Sequence, residues 1–331
     1  MILAGDIGGT NTRLALLTQK EKGLALVTVE KRPSTSWSSL PALVKHFLNT
    51  HHRVLAGRDI KGAAFSLAAP INSHRIKLTN LDLELDLQTT RRDLSFIPRI
   101  KFYNDLEALA SGVLEASPHD LFCLNPDTIN KEKIPRPVNK AIIAPGTGLG
   151  EAFIVDEQTI VAGEGGHSDF APQSETEILL WRFLYNKYGH VSYERVLSGQ
   201  GLMNIYHFLQ KVNDPQIRDS AVTNPETITQ KALQGDCPLS ENCLDIFVGV
   251  LGAEAGNMAL RTLSFGGVYL GGGIAPQILP KLQGNTFLQA FKNKGRFSEL
   301  MQSIPLYVVL NENLPLIGAA RLLVESVKLK A

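Results

Sequence analysis

Residues 3–17 read LAGDIGGTNTRLALL, and this stretch decides how the chain begins to fold. The apolar residues at its two ends are typical of buried strands, and the Gly8-Gly9 pair between them is typical of a tight turn. One acidic residue, Asp6, interrupts the first apolar run just before the turn. The stretch therefore predicts two paired strands joined by a glycine turn, with a carboxylate and several backbone N–H donors at one end.

A second stretch repeats this order of features. Residues 140–166 read KAIIAPGTGLGEAFIVDEQTIVAGEGG, in which APGTGLGE corresponds to the earlier GDIGGTNT. Each copy has three short extended segments, which are followed by segments with helical periodicity. In the second copy these helical segments lie at about 174–190, 199–213 and 240–264. We therefore predict a duplicated α/β unit in which each copy offers a glycine turn.

The bulk composition excludes several classes of protein. At 331 residues the chain is long enough for two domains, and its 44% hydrophobic and 20% charged residues are typical of a globular protein. A net charge of +1 argues against nucleic acid or an anionic membrane as a partner. We expect no signal peptide and no membrane-length stretch of uncharged apolar residues. Cys123, Cys237 and Cys243 form no C-x-x-C pair, which argues against disulfides and structural zinc and favours the cytoplasm.

The first glycine turn has the chemistry of a phosphate site. Backbone N–H groups at Gly8 and Gly9 would be open to a phosphate, and Asp6 could hold Mg²⁺ through water. The alternative is a plain hairpin turn in which the aspartate caps nearby amides. No P-loop motif occurs, and PGTGLG at residues 145–150 matches a dinucleotide loop only in its glycines, since a strand and not a helix follows.

A third glycine cluster ends another apolar strand. Residues 266–276 read GGVYLGGGIAP, which places Gly271–Gly273 at the carboxyl end of a strand, where α/β folds bind cofactors. Close packing of a helix on the strand would also explain these glycines. Three such clusters at strand ends favour a nucleotide cleft.

The segment FYNDLEALA at residues 102–110 passes from a strand into a helix. Asp105 at this junction is a good helix N-cap, and a carboxylate there would also be held rigidly enough to accept a proton from a substrate hydroxyl. Its neighbour Asn104 offers both a donor and an acceptor.

Two further polar segments follow the second copy. GEGGHSDFAP at residues 163–172 carries Glu164, His167 and Asp169, which suit either a metal or a polyhydroxylated ligand. SYERVLSGQGL carries Glu194, where a favourable charge at a helix start is the plainer interpretation.

Taken together, these motifs resemble the bacterial glucokinases of the sugar kinase, Hsp70 and actin superfamily, in particular the ATP-dependent group that lacks the ROK zinc signature. The motifs occur in the family's order nearly from end to end. The resemblance implies an α/β, two-domain duplicated ribonuclease H-like (actin/hexokinase-type) fold with an interdomain cleft. We expect a small domain of residues 1–109 plus 311–331 and a large domain of residues 110–310.

The resemblance also implies roles for individual residues. Asp105 would be the general base for the sugar 6-hydroxyl, and the other sugar ligands would be Asn104, Glu164, His167 and Glu194. The residues implied to bind ATP are Gly5, Asp6, Ile7, Gly8, Gly9, Thr10, Asn11, Gly146, Thr147, Gly148, Gly271, Gly272 and Gly273. Asp6 would also hold Mg²⁺ through water. The segment around Asn80 lacks an expected tryptophan-containing stretch, so the resemblance leaves open whether Asn80 is an extra sugar contact.

The implied activity is transfer of the ATP γ-phosphoryl group to glucose, with Mg²⁺, in a cytoplasmic homodimer. Two other enzymes stay open: a kinase for a different hexose or for an N-acetylated amino sugar, and a chaperone-type ATPase. A non-enzymatic sugar-sensing regulator is the alternative from another class. Such a regulator carries an added DNA-binding helix-turn-helix, whereas this sequence starts with the phosphate strand and is not basic. The ATPase would leave Asn104 and Asp105 without a purpose.

Overall fold

The structure, a computed structural model, describes residues 1–21, 23–78, 84–128, 137–213, 222 and 224–328. The strands are β1 (Ile2–Ile7), β2 (Asn11–Gln19), β3 (Leu24–Pro33), β4 (Gly62–Leu67), β5 (Arg75–Lys77), β6 (Glu84–Asp86), β7 (Ile100–Asn104), β8 (Leu121–Cys123), β9 (Lys140–Pro145), β10 (Leu149–Val155), β11 (Thr159–Gly163), β12 (Val268–Leu270) and β13 (Leu306–Val309). The helices are α1 (Leu40–Thr50), α2 (His52–Leu55), α3 (Leu87–Asp93), α4 (Asp105–Glu115), α5 (Glu175–Tyr188), α6 (Gly199–Asn213), α7 (Pro225–Gln234), α8 (Pro238–Thr262), α9 (Ile274–Gln277), α10 (Leu279–Leu282), α11 (Asn285–Lys292), α12 (Ser298–Met301) and α13 (Leu314–Lys328).

The chain divides into two compact units. The first consists of Met1–Ser117 with Asn311–Ala331, and the second is Pro118–Leu310. The boundary expected after residue 109 falls inside α4, and the structure keeps this whole helix in the first unit. The reason is packing, because α4 lies directly on α13 through Ala108 and Gly112.

The first unit is built on a five-stranded sheet in the order β3-β2-β1-β4-β7. Its first three strands form an antiparallel meander, and β1, β4 and β7 are parallel. Alternate residues of β1 face opposite sides of the sheet. Leu3 joins a core cluster with helix α1 on one side, and Ala4 joins a second cluster with α13 on the other.

The second unit repeats this arrangement. Its sheet has the order β11-β10-β9-β12-β13-β8, again with an antiparallel meander of three strands followed by parallel pairing of β9, β12 and β13. The added strand β8 pairs antiparallel with β13. The prediction of a duplicated α/β fold is therefore confirmed.

Helix α8 is long and apolar enough to cross a membrane by length and composition, although Asp245 and Glu254 interrupt its apolar residues. Within the protein, 72% of its most apolar window is buried, and Phe247, Leu251 and Ala255 lie in the core of the second unit. We conclude that α8 is a core helix of this unit.

Helix α5 begins after the N-cap Ser174, close to the predicted start, and β5 pairs with β6 in a separate two-stranded sheet. All three cysteines are free thiols. Asn80 lies outside the described residues.

Candidate active site

The register of the parallel strands in the first unit aligns their carboxyl ends. Ile7 of β1 pairs with Leu67 of β4, and Leu67 pairs with Asn104 of β7. The segments that follow these three strands therefore leave the same edge of the sheet, which is the edge where α/β folds bind ligands. They include the first glycine turn and the Asn104-Asp105 pair.

Asp6 lies next to last on β1 and has two partners in the first unit. Its Oδ2 accepts hydrogen bonds from Arg13 Nη2 at 2.6 Å and Arg13 Nε at 3.2 Å, and its Oδ1 accepts one from Ser66 Oγ at 2.9 Å. Asp6 and Arg13 are also Cα partners across β1 and β2. The carboxylate that interrupts the apolar strand thus forms an ion pair with Arg13 near the carboxyl end of β1.

The first glycine turn is closed by backbone and side-chain hydrogen bonds. Gly8 N–H donates to the Asn11 carbonyl at 3.0 Å, and Ser34 Oγ donates to the Gly8 carbonyl at 2.7 Å. Thr10 and Asn11 are exposed, whereas the side chain of Ile7 is fully buried in the core. Any ligand at this turn would therefore meet Gly8–Asn11, with Ile7 anchoring the strand beneath.

The helix cap at the end of β7 is Asn104, not Asp105. The Asn104 side-chain oxygen accepts hydrogen bonds from Leu106 N–H at 2.9 Å and Glu107 N–H at 3.4 Å. Asp105 is the first residue of α4, and its Oδ1 also accepts from Leu106 N–H at 3.0 Å. The half-buried Asp105 carboxylate is fixed at a helix N-terminus, where a negative charge is favoured. Burial raises the pKa of the nearby Glu107 carboxyl.

In the second unit, the glycine turn after β9 contacts two other segments. Gly146 N–H donates to the Gly148 carbonyl at 2.8 Å, and Gly199 N–H donates to the Gly146 carbonyl at 2.9 Å. Gly271 N–H donates to the Ile143 carbonyl at 2.8 Å, and Gly272 has a φ of +74° that favours glycine. The second and third glycine clusters of the sequence are therefore brought together.

Glu194 contacts the strand that follows this glycine turn. Its Oε2 accepts a hydrogen bond from Leu149 N–H at 3.0 Å, and its Oε1 lies 4.0 Å from His167 Nε2. Glu194 lies in a short 3₁₀ turn at Tyr193–Arg195. The structure thus places two predicted sugar ligands, Glu194 and His167, side by side next to a predicted phosphate turn.

The loop that carries Glu164 and His167 is closed on itself, because His167 N–H donates to the Glu164 carbonyl at 3.0 Å. Both side chains are exposed. Asp169 does not join them: its Oδ1 pairs with His190 Nε2 at 3.0 Å. Among the described residues no three His, Cys, Asp or Glu side chains are placed to hold a metal, so the metal interpretation of this loop has no support.

Three residues around these segments were missed by the sequence reasoning. Arg13 and Ser66 hold Asp6, and Glu151 is buried beneath the loop that carries Glu164. Arg13 was detectable, because a hairpin through Gly8–Asn11 places residues 6 and 13 opposite each other. Glu151 carried a signal too, since it is a lone acid in an apolar strand, as Asp6 is.

Comparison with known proteins adds an independent line of information. The family model described as Glucokinase matches residues 3–326. The chain is 37% identical to a glucokinase of Trichormus variabilis, covering 97% of this chain and 98% of that protein. It is 38% identical to a glucokinase of Neisseria meningitidis, covering 96% of this chain and 93% of that protein.

Solved structures agree with these relatives. The crystal structure of a glucokinase from an Antarctic psychrotroph superposes with a TM-score of 0.82 at 28% identity, covering 98% of both chains. A glucokinase from Balamuthia mandrillaris in complex with glucose has a TM-score of 0.77 at 22% identity, over 97% of this chain and 92% of that one, and supports the fold alone. On the match of nearly its whole length, this chain belongs to the glucokinase family.

Proposed function

We propose that this protein is an ATP-dependent glucokinase that transfers the γ-phosphoryl group of ATP to the 6-hydroxyl of D-glucose. The products are glucose 6-phosphate and ADP. Membership of the glucokinase family supports this activity. The observation that carries the residue roles is the common sheet edge of the first unit, where the Gly8–Asn11 turn and Asp105 both follow parallel strands.

In the first unit, Asp105 is the general base. As the bond from the sugar O6 to the γ-phosphorus forms and the bond to the β,γ-bridging oxygen breaks, Asp105 takes the hydroxyl proton and ADP leaves. The carboxylate is fixed by its position at the start of α4, and Asn104 is fixed by capping the same helix. Asn104 also binds the sugar through its amide. Such positioning supplies much of the rate enhancement in phosphoryl transfer.

In the second unit, Glu194, Glu164 and His167 bind the remaining sugar hydroxyls. Carboxylates accept hydrogen bonds from pairs of hydroxyls, and the imidazole adds a donor or an acceptor. The contact of Glu194 with Leu149 N–H and its approach to His167 support this grouping. The exposed positions of Glu164 and His167 leave both side chains open to a ligand.

The ATP phosphates lie against the two glycine turns, and the adenosine lies against the third glycine cluster. The residues that meet ATP are Gly8, Gly9, Thr10, Asn11, Gly146, Thr147, Gly148, Gly271, Gly272 and Gly273. Glycine turns suit this task because no Cβ blocks the approach of the anion. Gly5 and Ile7 are buried in β1 and support the first turn from beneath.

The residues around Asp6 fit a magnesium ion bound through water. Both carboxylate oxygens already accept hydrogen bonds from Arg13 and Ser66, and a carboxylate oxygen can accept a further one from a metal-bound water. When bound, Mg²⁺ neutralises charge on the transferring phosphoryl group. Arg13 and Ser66 would hold the Asp6 carboxylate in a fixed position for this role.

The activity is tested by coupling glucose 6-phosphate formation to a dehydrogenase with Mg·ATP and a panel of hexoses and N-acetylated amino sugars. We expect turnover on glucose, and we expect Asp105→Asn to abolish it while glucose binding stays within a few-fold. Asp93→Asn, an exposed acid at the end of α3, is the matched control. Turnover on another sugar only, or a fully active Asp105→Asn, overturns the substrate or the base, respectively.

We also propose that the enzyme is a cytoplasmic homodimer that supplies the first step of glycolysis. Family membership supports this setting. Light scattering behind gel filtration tests the dimer, and a mass of one chain contradicts it. Cell fractionation tests the location.

A further inference from the structure

A cluster of charged and polar side chains lies beneath the loop that carries Glu164 and His167. Its members are Glu151, Tyr193, Glu254, Asn257, Arg261 and Lys294. Glu151 and Glu254 are almost wholly buried, with 3% and 0% of their surface exposed. Two buried carboxylates in one core cluster are costly and require partners.

Glu254 is fully partnered in this cluster. Its Oε1 accepts a hydrogen bond from Arg261 Nη1 at 2.8 Å, and its Oε2 accepts one from Asn257 Nδ2 at 2.8 Å. Asn257 Nδ2 also donates to the Tyr193 hydroxyl at 3.1 Å, and Lys294 Nζ donates to Asn257 Oδ1 at 2.7 Å. This half of the cluster reaches Tyr193, the neighbour of Glu194.

Glu151 is placed differently. Its Oε1 is buried without a hydrogen-bond partner among the described residues, and its Oε2 lies 3.9 Å from Arg261 Nη1, too far for a hydrogen bond. A Cβ placed on Gly165 would overlap that same Oε2. The Glu151 carboxyl therefore packs directly against the backbone of the loop at Gly165.

We propose that Glu151 is a positioning residue whose uncharged carboxyl holds the loop of Glu164–His167 in place. When this carboxyl ionises, the loop moves away from it. The proposal rests on the proposed function, since the loop carries two of the sugar ligands. The physical reason is solvation. An ionised carboxylate needs hydrogen-bond donors or water, and the backbone of Gly165 lies directly against the Oε2 atom of Glu151.

On balance, the surroundings of Glu151 favour its uncharged form. Glu254 and Arg261 act on Glu151 from α8, and the Tyr193 hydroxyl and the Lys294 ammonium are hydrogen-bonded to Asn257 of the same helix. Burial and the Glu254 charge raise the pKa of Glu151 to about 7, and Arg261 offsets only part of this. The Glu151 carboxyl therefore loses its proton near neutral pH.

The first test is the KM for glucose between pH 6 and pH 8.5 in wild type and Glu151→Gln. We expect the wild-type KM to rise at least about threefold above pH 7, with a smaller change in kcat, because ligand binding is linked to the proton. Glu151→Gln is uncharged at every pH and is expected to keep the low KM and to lose this part of the pH dependence. Glu299→Gln, an exposed acid in α12, is the control and follows wild type.

The second test needs no sugar. Amide hydrogen exchange is measured at His167 and Ser168, whose N–H groups donate to the Glu164 and Gly165 carbonyls. Intrinsic exchange rates are the same in both proteins at one pH. The ratio of the wild-type exchange rate to the Glu151→Gln exchange rate therefore reports only how often the loop opens. We expect a ratio near one at pH 6 that rises at least about threefold by pH 8.

The outcomes separate the two proposals. A wild type that phosphorylates no glucose overturns the proposed function, and the exchange ratio still decides the role of Glu151. An exchange ratio that does not change with pH, or a Glu151→Gln enzyme with the wild-type pH dependence of KM, overturns the positioning role and leaves the kinase activity in place.

Discussion

The Oε2 atom of Glu194 accepts a hydrogen bond from the backbone N–H of Leu149 at 3.0 Å. Leu149 directly follows the turn of Gly146, Thr147 and Gly148, so one hydrogen bond joins a candidate sugar ligand to a candidate phosphate turn. Within the second unit, neither group can shift by much without moving the other.

This coupling predicts the effect of a single methyl group. A Cβ on Gly148 would lie 2.5 Å from Glu194 Oε2, closer than any nonbonded contact allows. We expect Gly148→Ala to displace the carboxylate and to lower kcat/KM for glucose by about 10- to 100-fold, the scale on which small misplacements act. Gly249→Ala in α8, where the nearest atom is 3.7 Å away, is the control. Wild-type kinetics in Gly148→Ala would show that the contact has no part in the site.

The double role of Asn104 can be separated by two substitutions. Asn104→Ala removes the cap of α4 and is expected to cost about 1 kcal/mol in the free energy of unfolding, whereas Asn104→Asp keeps an N-cap oxygen and most of that stability. Both variants remove the amide donor, so both are expected to raise the KM for glucose. Urea unfolding and steady-state kinetics on the pair measure the two effects, and equal stability of the two variants contradicts the capping role.

The buried Glu151 predicts a pH dependence of stability. Its pKa rises from an ordinary 4.5 to about 7 on folding, so between these values the folded protein binds more protons than the unfolded chain. Wild-type stability relative to Glu151→Gln is therefore expected to fall as pH rises from 4.5 to 7, by about 3 kcal/mol in total, and to level off above 7. Urea unfolding at four pH values checks this, and a constant difference between the two proteins refutes it.

The contact of α4 with α13 predicts a severe packing defect. A Cβ on Gly318 would overlap the Ala108 carbonyl, and both lie in helix backbones that cannot turn aside. We expect Gly318→Ala to force the two helices apart and to cost at least about 3 kcal/mol of stability. Gly249→Ala again serves as the control, and a melting temperature of Gly318→Ala equal to that of wild type would contradict close helix packing.

Much of the architecture was predictable from local pattern. The two copies of strand, glycine turn and strand predicted the duplicated fold, because the same order of elements occurs twice along the chain. The junction at Asn104-Asp105 was predictable because residues that cap helices stand between an apolar strand and a helical pattern, although the assignment of the cap to Asp105 was wrong by one residue. Which of two adjacent capping residues becomes the N-cap depends on the residue at which β7 ends.

What the sequence could not provide is pairing between distant segments. Ser66 is 60 residues from Asp6 and reaches it only through the pairing of β1 with β4. Glu151 and Arg261 meet only after α8 packs against the second sheet. Asp169 illustrates the converse, since its spacing suggested a ligand set with Glu164 and His167, yet its partner is His190.

The return of α13 to the first unit has a consequence for biosynthesis. Leu316, Ala319, Ala320 and Leu323 complete one face of the sheet formed by the first strands. A ribosome delivers these residues only after the whole second unit has been made. Until then the first unit lacks the helix that covers Ala4, Ala15 and Ala64, so its core is completed last.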